Sequence, residues 1–343
     1  MIEMRSDTFT LPTEQMLAAM TSATLGDDVY GEDPTVRELE ETSAQLTGKE
    51  AACFLPSGTM ANLCAIMAQV PRGAKVIVGD ESDIYLYEAA GASVCAGAAY
   101  EPVRTDEDGR LPLDGLAAAF PADPDDPQFA LPALICLENT HNRAGGVVLD
   151  EAYLRAVRDF ADERQVPVHL DGARLFNAAL AAGTTVEAVA RHADTVQFCL
   201  SKGLSAPVGS MLTGPAEVIG RARRVRKLLG GGMRQAGVLA AAGLIAVTRM
   251  PQRLAEDHAN ALGFAEGLAQ VPGVTVDPKR VQTNIVLFRL ADMPWERFVA
   301  ETADLGLRVA EFGHGRIRAV THRGVSRADV DRAVEIVGRV VAR

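Results

Sequence analysis

The stretch V-P-V-H-L-D-G-A-R at Val166–Arg174 reads as a buried strand over Val166–Leu170 that delivers a carboxylate, Asp171, at its end. Roughly thirty residues later, T-V-Q-F-C-L-S-K-G-L at Thr195–Leu204 repeats the device: an apolar, β-branched run over Thr195–Leu200, then a lysine, Lys202. Between them, Thr185–Arg191 has helical spacing. Working outward, the strand pattern recurs at Ala51–Leu55, Lys75–Val78 and Ala133–Glu138, and helical spacing at Thr35–Leu46, Ala61–Gln69 and Glu151–Arg164. Such alternation predicts an α/β domain with a largely parallel sheet. Ligands of these sheets bind beyond the carboxyl ends of the strands, so Asp171 and Lys202 project from the same ligand-binding edge.

After Gly237 the pattern changes. A small-residue helix, Val238–Arg249, leads into a long helical stretch, Pro251–Val271. Then come Val274–Val276, a strand over Asn284–Leu290, a helix from Trp295, a strand around Arg316–Thr321 and a last helix from Arg327. This predicts a large domain over 1–240 with a short N-terminal arm, and a smaller α+β domain over 241–343. Asp123–Pro127 is a surface connection rich in Pro and Asp.

Nearly half of the 343 residues are apolar, which is ample for a sizeable core. The formal charge of −11 disfavours nucleic acid or an anionic membrane as main partner and favours a small molecule. No apolar run reaches the roughly 18 to 20 residues that span a bilayer, and the start, with Glu3, Arg5 and Asp7, lacks the order of a signal peptide. The expected location is cytoplasmic. The five cysteines are scattered singly, with neither a C-x-x-C pair nor a neighbouring histidine, so reduced thiols are expected and no metal site.

A carboxylate and a lysine at one sheet edge suit pyridoxal 5'-phosphate (PLP), which needs an amine for a Schiff base and an acid to keep its pyridine nitrogen protonated. A phosphate cradle is the third requirement. Pro56-Ser57-Gly58-Thr59, between a strand and a helix, supplies small residues whose N–H groups approach an anion at a helix N-terminus. Alone, each of these features has a bland reading, as a solvated loop charge or an ordinary helix cap. Their combination carries the functional one.

The chain resembles the low-specificity threonine aldolase family of fold-type I PLP enzymes, within the group of aromatic-amino-acid β-eliminating lyases. The resemblance rests on M-R-S-D-T-F-T (Met4–Thr10), G-D-D-V-Y-G-E-D-P-T (Gly26–Thr35), F-L-P-S-G-T-M-A-N (Phe54–Asn62), L-E-N-T-H-N (Leu137–Asn142), D-G-A-R (Asp171–Arg174), L-S-K-G-L (Leu200–Leu204), G-G-G-M-R-Q (Gly230–Gln235) and R-A-V-T-H (Arg318–His322). It implies a PLP-dependent aldehyde-lyase that cleaves a β-hydroxy-α-amino acid to glycine and an aldehyde. By the same resemblance, Lys202 is the Schiff-base lysine, Asp171 the pyridine partner, and Gly58 and Thr59 the phosphate turn. Ser6, Arg174 and Arg318 would hold the substrate carboxylate, and His141 would stand near the hydroxyl. Tyr30 and Arg234 would reach the cofactor of a neighbouring subunit, making the protein a homodimer or homotetramer with shared sites.

One position departs from the family. Where the family has a histidine stacked over the cofactor ring, this chain reads E-S-D-I-Y and places Asp83. Either the chemistry stays retro-aldol, with His141, a water or Asp83 taking the hydroxyl proton, or the change marks another PLP reaction such as transaldol transfer, β-elimination, racemisation or transamination. A third reading is that Tyr85 or Tyr87 supplies the stacking ring. A rival of another class is a non-catalytic PLP-binding regulatory protein, against which the complete set of Lys202, Asp171, Arg174 and Arg318 argues. Two features add little. The basic run Arg221–Lys227 predicts a subunit-contact or phosphate-facing helix rather than a nucleic-acid site, and Gly230-Gly231-Gly232 lacks the strand of a dinucleotide fingerprint.

Overall fold

The computed structural model describes residues 1–342. Seven strands form the central sheet: β1 (Ala51–Leu55), β2 (Lys75–Gly79), β3 (Ala99–Val103), β4 (Pro132–Glu138), β5 (Val168–Asp171), β6 (Thr195–Cys199) and β7 (Ser210–Gly214). Their order is β1-β7-β6-β5-β4-β2-β3, with β7 antiparallel to both neighbours and the other pairs parallel. The expected parallel core is there. Two strands were not foreseen, for different reasons. The sequence of β3, A-Y-E-P-V, lacks alternation and contains Pro102, which the sheet accepts because β3 is an edge strand. β7 returns after the short loop Leu200–Gly209, too short for the dozen or more residues a parallel crossover needs, so it runs antiparallel beside β6.

Helices start where side chains can cap them. Asp33 accepts from Thr35 and Val36 N–H ahead of Pro34–Thr47, Ser57 caps Gly58–Gln69, and Asp150 caps Glu151–Glu163. Buried residues of the central core come from the sheet and from the helix Gly237–Arg249, including Ala240, Ala242, Ala246 and Val247. The expected division at 240/241 therefore cuts through a helix of the large core. The second core begins at Ala261, with Phe264, Phe288, Phe298 and Val337 around a small antiparallel sheet in which Ile285–Leu290 pairs with Ile317–Val320.

The N-terminal arm belongs to that second core. Ile2 and Met4 are buried in it, Ile2–Glu3 pairs with Leu307–Arg308, and Val320 N–H donates to the Met4 carbonyl at 2.8 Å. This anchoring carries Arg5–Asp7 across to the large domain, where it meets Arg174. Much of the basic run has partners within the subunit. Arg223 pairs with Glu40 and the Ala52 carbonyl, Arg226 with Asp28 and the Phe54 carbonyl, and Arg221 with Glu217 and the Ala68 carbonyl. Three of its cations are thus spent inside the subunit, clamping the helix Ala216–Leu228 against β1 and Gly58–Gln69.

Candidate active site

Asp171 closes β5 and is 3% exposed. One carboxylate oxygen accepts from Ala173 N–H at 3.0 Å and from Gln197 Nε2, and the other from Asn62 Nδ2 at 2.8 Å. Asn62, on the first turns after the phosphate cradle, accepts in turn from His169 Nε2 at 3.0 Å, and His169 Nδ1 lies 2.9 Å from Thr195 Oγ1. Burial drives His169 down to about 3, so its ring is neutral and its one proton is used in this chain. Asp171 is raised above its ordinary value by burial, against the pull of Lys202 and with a further push from Asp83. Burial lowers Lys202, but the Cys199 sulfur, Asp83 and Asp7 outweigh it and hold the ammonium above its ordinary value.

At the cradle, the N–H groups of Gly58 and Thr59 open the helix Gly58–Gln69 and have no acceptor among the described residues. A Cβ on Gly58 would stand 2.9 Å from Cys199 Sγ, so the turn approaches the β6 edge as only glycine can. A carboxylate held by three donors, an amine without a hydrogen-bond partner among the described residues and free helix N–H groups at one sheet edge fit PLP.

The facing wall comes from the small domain and from the loop after β4. Glu138, at the end of β4, accepts from Asn142 N–H and from Asp83 N–H, each at 2.7 Å. Burial, with Asp83 and Asp171 nearby, raises the Glu138 carboxyl well above its usual range. The Asn142 amide donates to both Asp83 oxygens, at 3.1 and 3.2 Å, and its carbonyl accepts from Arg318 Nη1 at 2.9 Å. Arg318 lies 3.8 Å over the Phe312 ring, and its Nε is buried without a partner among the described residues. Burial and Arg174 lower it to about 10, which leaves it a cation at neutral pH.

His141 is 2% exposed and lowered to about 4, chiefly by burial. Its Nδ1 accepts from Ala144 N–H at 3.2 Å, so the neutral ring carries its proton on Nε2, which has no partner among the described residues. His141 is therefore a hydrogen-bond donor at that atom. The base role entertained for it from sequence is not open to this tautomer.

Arg174 departs from expectation more sharply. Its Nε and Nη2 are bound to Asp7 at 2.8 and 2.7 Å, and only Nη1 is left, 3.5 Å from Asn142 Oδ1. Burial would raise Asp7, but the Arg174 guanidinium overrides it and holds the carboxyl far below the usual range. The ion pair fastens the N-terminal arm and leaves the facing guanidinium of Arg318 as the freer carboxylate receptor. Ser6 Oγ caps the turn Asp7–Phe9 by accepting from Thr8 N–H, and Arg318 Nη2 donates to the adjacent Arg5 carbonyl at 2.9 Å.

Both tyrosines have aromatic partners of their own. Tyr87 stacks on Phe312 with centroids 6.0 Å apart and takes a hydrogen bond from Arg143, while Tyr85 packs edge-on to Tyr100. Tyr30 and Arg234 lie together at the surface, the guanidinium 5.9 Å over a ring that is 75% exposed. Sequence reading missed Asp7, Asn62, Glu138, Asn142, His169 and Gln197. A signal existed for two of them: strand alternation puts His169 on the face of Asp171, and Asn62 stands one helical turn beyond Gly58–Thr59.

This chain belongs to the β-eliminating lyase family, whose pattern matches residues 3–291. It is 43% identical over 333 residues to low-specificity L-threonine aldolase 1 of Arabidopsis thaliana, covering 96% of this chain and 93% of that protein. Against the low specificity L-threonine aldolase of Escherichia coli K12 the identity is 47% over 292 residues, 85% of each chain. The fold matches that of a Leishmania major threonine aldolase at a TM-score of 0.84 and 20% identity, over 99% of this chain and 100% of that one.

Proposed function

We propose that this protein is a PLP-dependent lyase that cleaves a β-hydroxy-α-amino acid of the threonine or allo-threonine type to glycine and an aldehyde. The observation that carries the reading is the pairing of Lys202 and Asp171 on adjacent strand ends with Arg318 and Asp83 opposite them. PLP, when bound, supplies an electron sink for the pair released as the Cα–Cβ bond breaks. Lys202 would carry it, Asp171 would hold the proton on its pyridine nitrogen, and the Gly58 and Thr59 N–H groups would take its phosphate.

The chain's own residues decide which bond breaks. Arg318, helped by Ser6 and the remaining Nη1 of Arg174, would take the α-carboxylate by charge-assisted hydrogen bonds and so fix which bond at Cα is presented for cleavage. His141 Nε2–H donates to the β-oxygen and fixes its position. Asp83, oriented through Asn142 and Glu138, accepts the hydroxyl proton as the bond opens. The pairing of a neutral donor with a carboxylate acceptor supports retro-aldol chemistry and gives Asp83 the work that the departure from the family pattern put in question.

The exposed Tyr30 and Arg234 support a homo-oligomer in which each subunit completes its neighbour's site, and we place it in the cytoplasm. No helix among the described residues is long and apolar enough to cross a membrane. The test is to incubate PLP-loaded protein separately with L-threonine and L-allo-threonine and to measure glycine and acetaldehyde together. Matched formation of both is expected. Neither product, with PLP still fixed to Lys202 by borohydride, would sink the reading.

A further inference from the structure

Next to the candidate active site lies a cavity of about 670 Å³ between the two domains, which the proposed reaction does not use. His141 and Arg143 form the wall it shares with that site. The guanidinium of Arg143 donates to Tyr87 and Glu81 and lies 5.6 Å from the Phe312 ring, which also stacks on Tyr87 and lies under Arg318. Phe312 thus stands between the carboxylate receptor and the cavity.

The strand that carries Arg318 also carries Arg316. Phe312 N–H donates to the Arg316 carbonyl at 2.8 Å, which extends the pairing of Glu311 with Ile317 by one step, so the backbone at Arg316 is in the ladder. Residues two apart on a strand leave the same face, roughly 7 Å from each other. Arg318 therefore meets the α-carboxylate site and Arg316 the cavity beside it. The register of Phe288 with Ile317 brings Arg289, also in the cavity wall, next to Arg316.

Carboxylates line the cavity too, but they are engaged where they stand. Glu81 is held by Arg143 and by His314 at 3.0 Å, Asp80 accepts from Thr105 N–H, and Asp106 from Asp108 and Arg110 N–H. Asp277 caps the turn at Lys279. By contrast, the Arg316 guanidinium donates only to the Gly313 and Arg143 carbonyls, with Glu81 no nearer than 3.9 Å, and Arg289 donates to the His314 carbonyl. Burial and the Arg143 charge, with Arg289 adding to them, pull Arg316 below its ordinary value. Of these two adjacent cations on the small-domain wall, Arg289 has no carboxylate partner among the described residues and Arg316 has only Glu81, at 3.9 Å and already held by Arg143 and His314.

The geometry points to a substrate with two anionic ends: a β-hydroxy-α-amino acid whose β-substituent is a short chain closed by a carboxylate or similar oxyanion, with the α-carboxylate on Arg318 and the distal anion on Arg316 and Arg289. The reaction is unchanged. The Cα–Cβ bond breaks with its electron pair left on Cα, which takes up a proton to give glycine, while the hydroxyl proton goes to Asp83, the O–H pair becomes the aldehyde C=O, and the aldehyde released carries the acid group, with no oxidant or reductant. This inference rests on the retro-aldol reading and adds the class of the aldehyde.

The test runs the reaction in the direction of synthesis, on the PLP-loaded protein, with glycine and either succinate semialdehyde or 4-methylpentanal, which replaces the carboxylate by a neutral isopropyl group of similar shape. The wild type is expected to favour the acid by about tenfold or more in kcat/KM, mainly through the aldehyde KM, the worth of a charge-assisted contact. Arg316→Gln should remove most of that preference while leaving threonine cleavage in place. Arg289→Gln, at a more exposed site, should reduce it in the same sense and covers the case of an Arg316 variant that does not fold. Wild-type protein that cleaves threonine yet shows no preference between the two aldehydes overturns the inference alone. Protein that neither cleaves threonine nor condenses either aldehyde overturns the retro-aldol reading and this one with it.

Discussion

The two walls of the candidate site are built differently. On the sheet side, Asp171, Asn62, His169, Gln197 and Thr195 form a closed chain in which the Asp171 carboxylate has three donors and His169 uses both ring nitrogens. On the opposite wall, Arg318 Nε and His141 Nε2 are buried with no partner among the described residues. A satisfied network fixes geometry before anything binds, whereas an orphaned buried donor costs free energy until a ligand meets it. The sheet wall is therefore organised for a permanent guest, and the small-domain wall for one that comes and goes.

That contrast predicts mutants that fail in distinguishable ways. Lys202→Ala removes the covalent attachment on the sheet wall and should cost more than about a thousandfold in turnover. Borohydride should then no longer fix PLP to the protein at this position, and persistence of that adduct would contradict the assignment. Asp83→Asn keeps the shape and the contact with Asn142 but removes the proton acceptor, for an expected loss of about a hundredfold or more in kcat with PLP retention unchanged. If kcat holds while KM rises, Asp83 is a binding group and the base lies elsewhere.

Arg318→Gln acts on the wall left open for the substrate. It should raise the amino-acid KM by roughly tenfold to a hundredfold, the worth of charge-assisted hydrogen bonds to a carboxylate, with a normal PLP spectrum before substrate is added. Asn62→Ala should show the reverse pattern. It opens the closed chain at Asp171 and His169, so PLP affinity should fall by about tenfold while the KM of protein saturated with PLP changes little. Equal effects of the two variants on PLP affinity would erase the distinction between the walls.

The sheet wall was also the legible one. Strands that end on Asp171 and Lys202 announce themselves by apolar runs with a polar residue at the carboxyl end, and the cradle at Gly58 by its small residues between a strand and a helix. Where the chain doubles back, as at β7, or hides a strand behind a proline, as at β3, local pattern had no purchase because pairing partners decided the outcome. The second wall depends on contacts between Asp7, Asn142 and residues beyond 280, which no local periodicity encodes. For that reason the ion pair of Arg174 with Asp7 was not foreseen, and Asn142, the relay between Arg318 and Asp83, was passed over inside a motif already quoted for its histidine.

Glu88 gives the finest test of the closed chain, because it touches that chain at a single atom. Asn62 Nδ2 donates to Glu88 Oε1 and to Asp171 Oδ2, both at 2.8 Å, so two carboxyl groups share one donor. Burial, followed by the Asp171 charge, raises Glu88 to about 9 from an ordinary 4.5. Between those values the folded protein keeps a proton that the unfolded chain has lost. The contribution of Glu88 to stability is thus fully present below about pH 4.5 and is lost as the pH rises towards 9. Glu88→Gln keeps the uncharged shape and removes the titration. In PLP-free protein unfolded by urea at pH 6 and pH 8, the wild type should lose about 1–2 kcal/mol more than the variant over that interval, a figure reduced for the partial exposure of Glu88. Parallel behaviour of the two proteins would mean that Glu88 is ionised in the folded state and that the sheet wall tolerates a second anion beside Asp171.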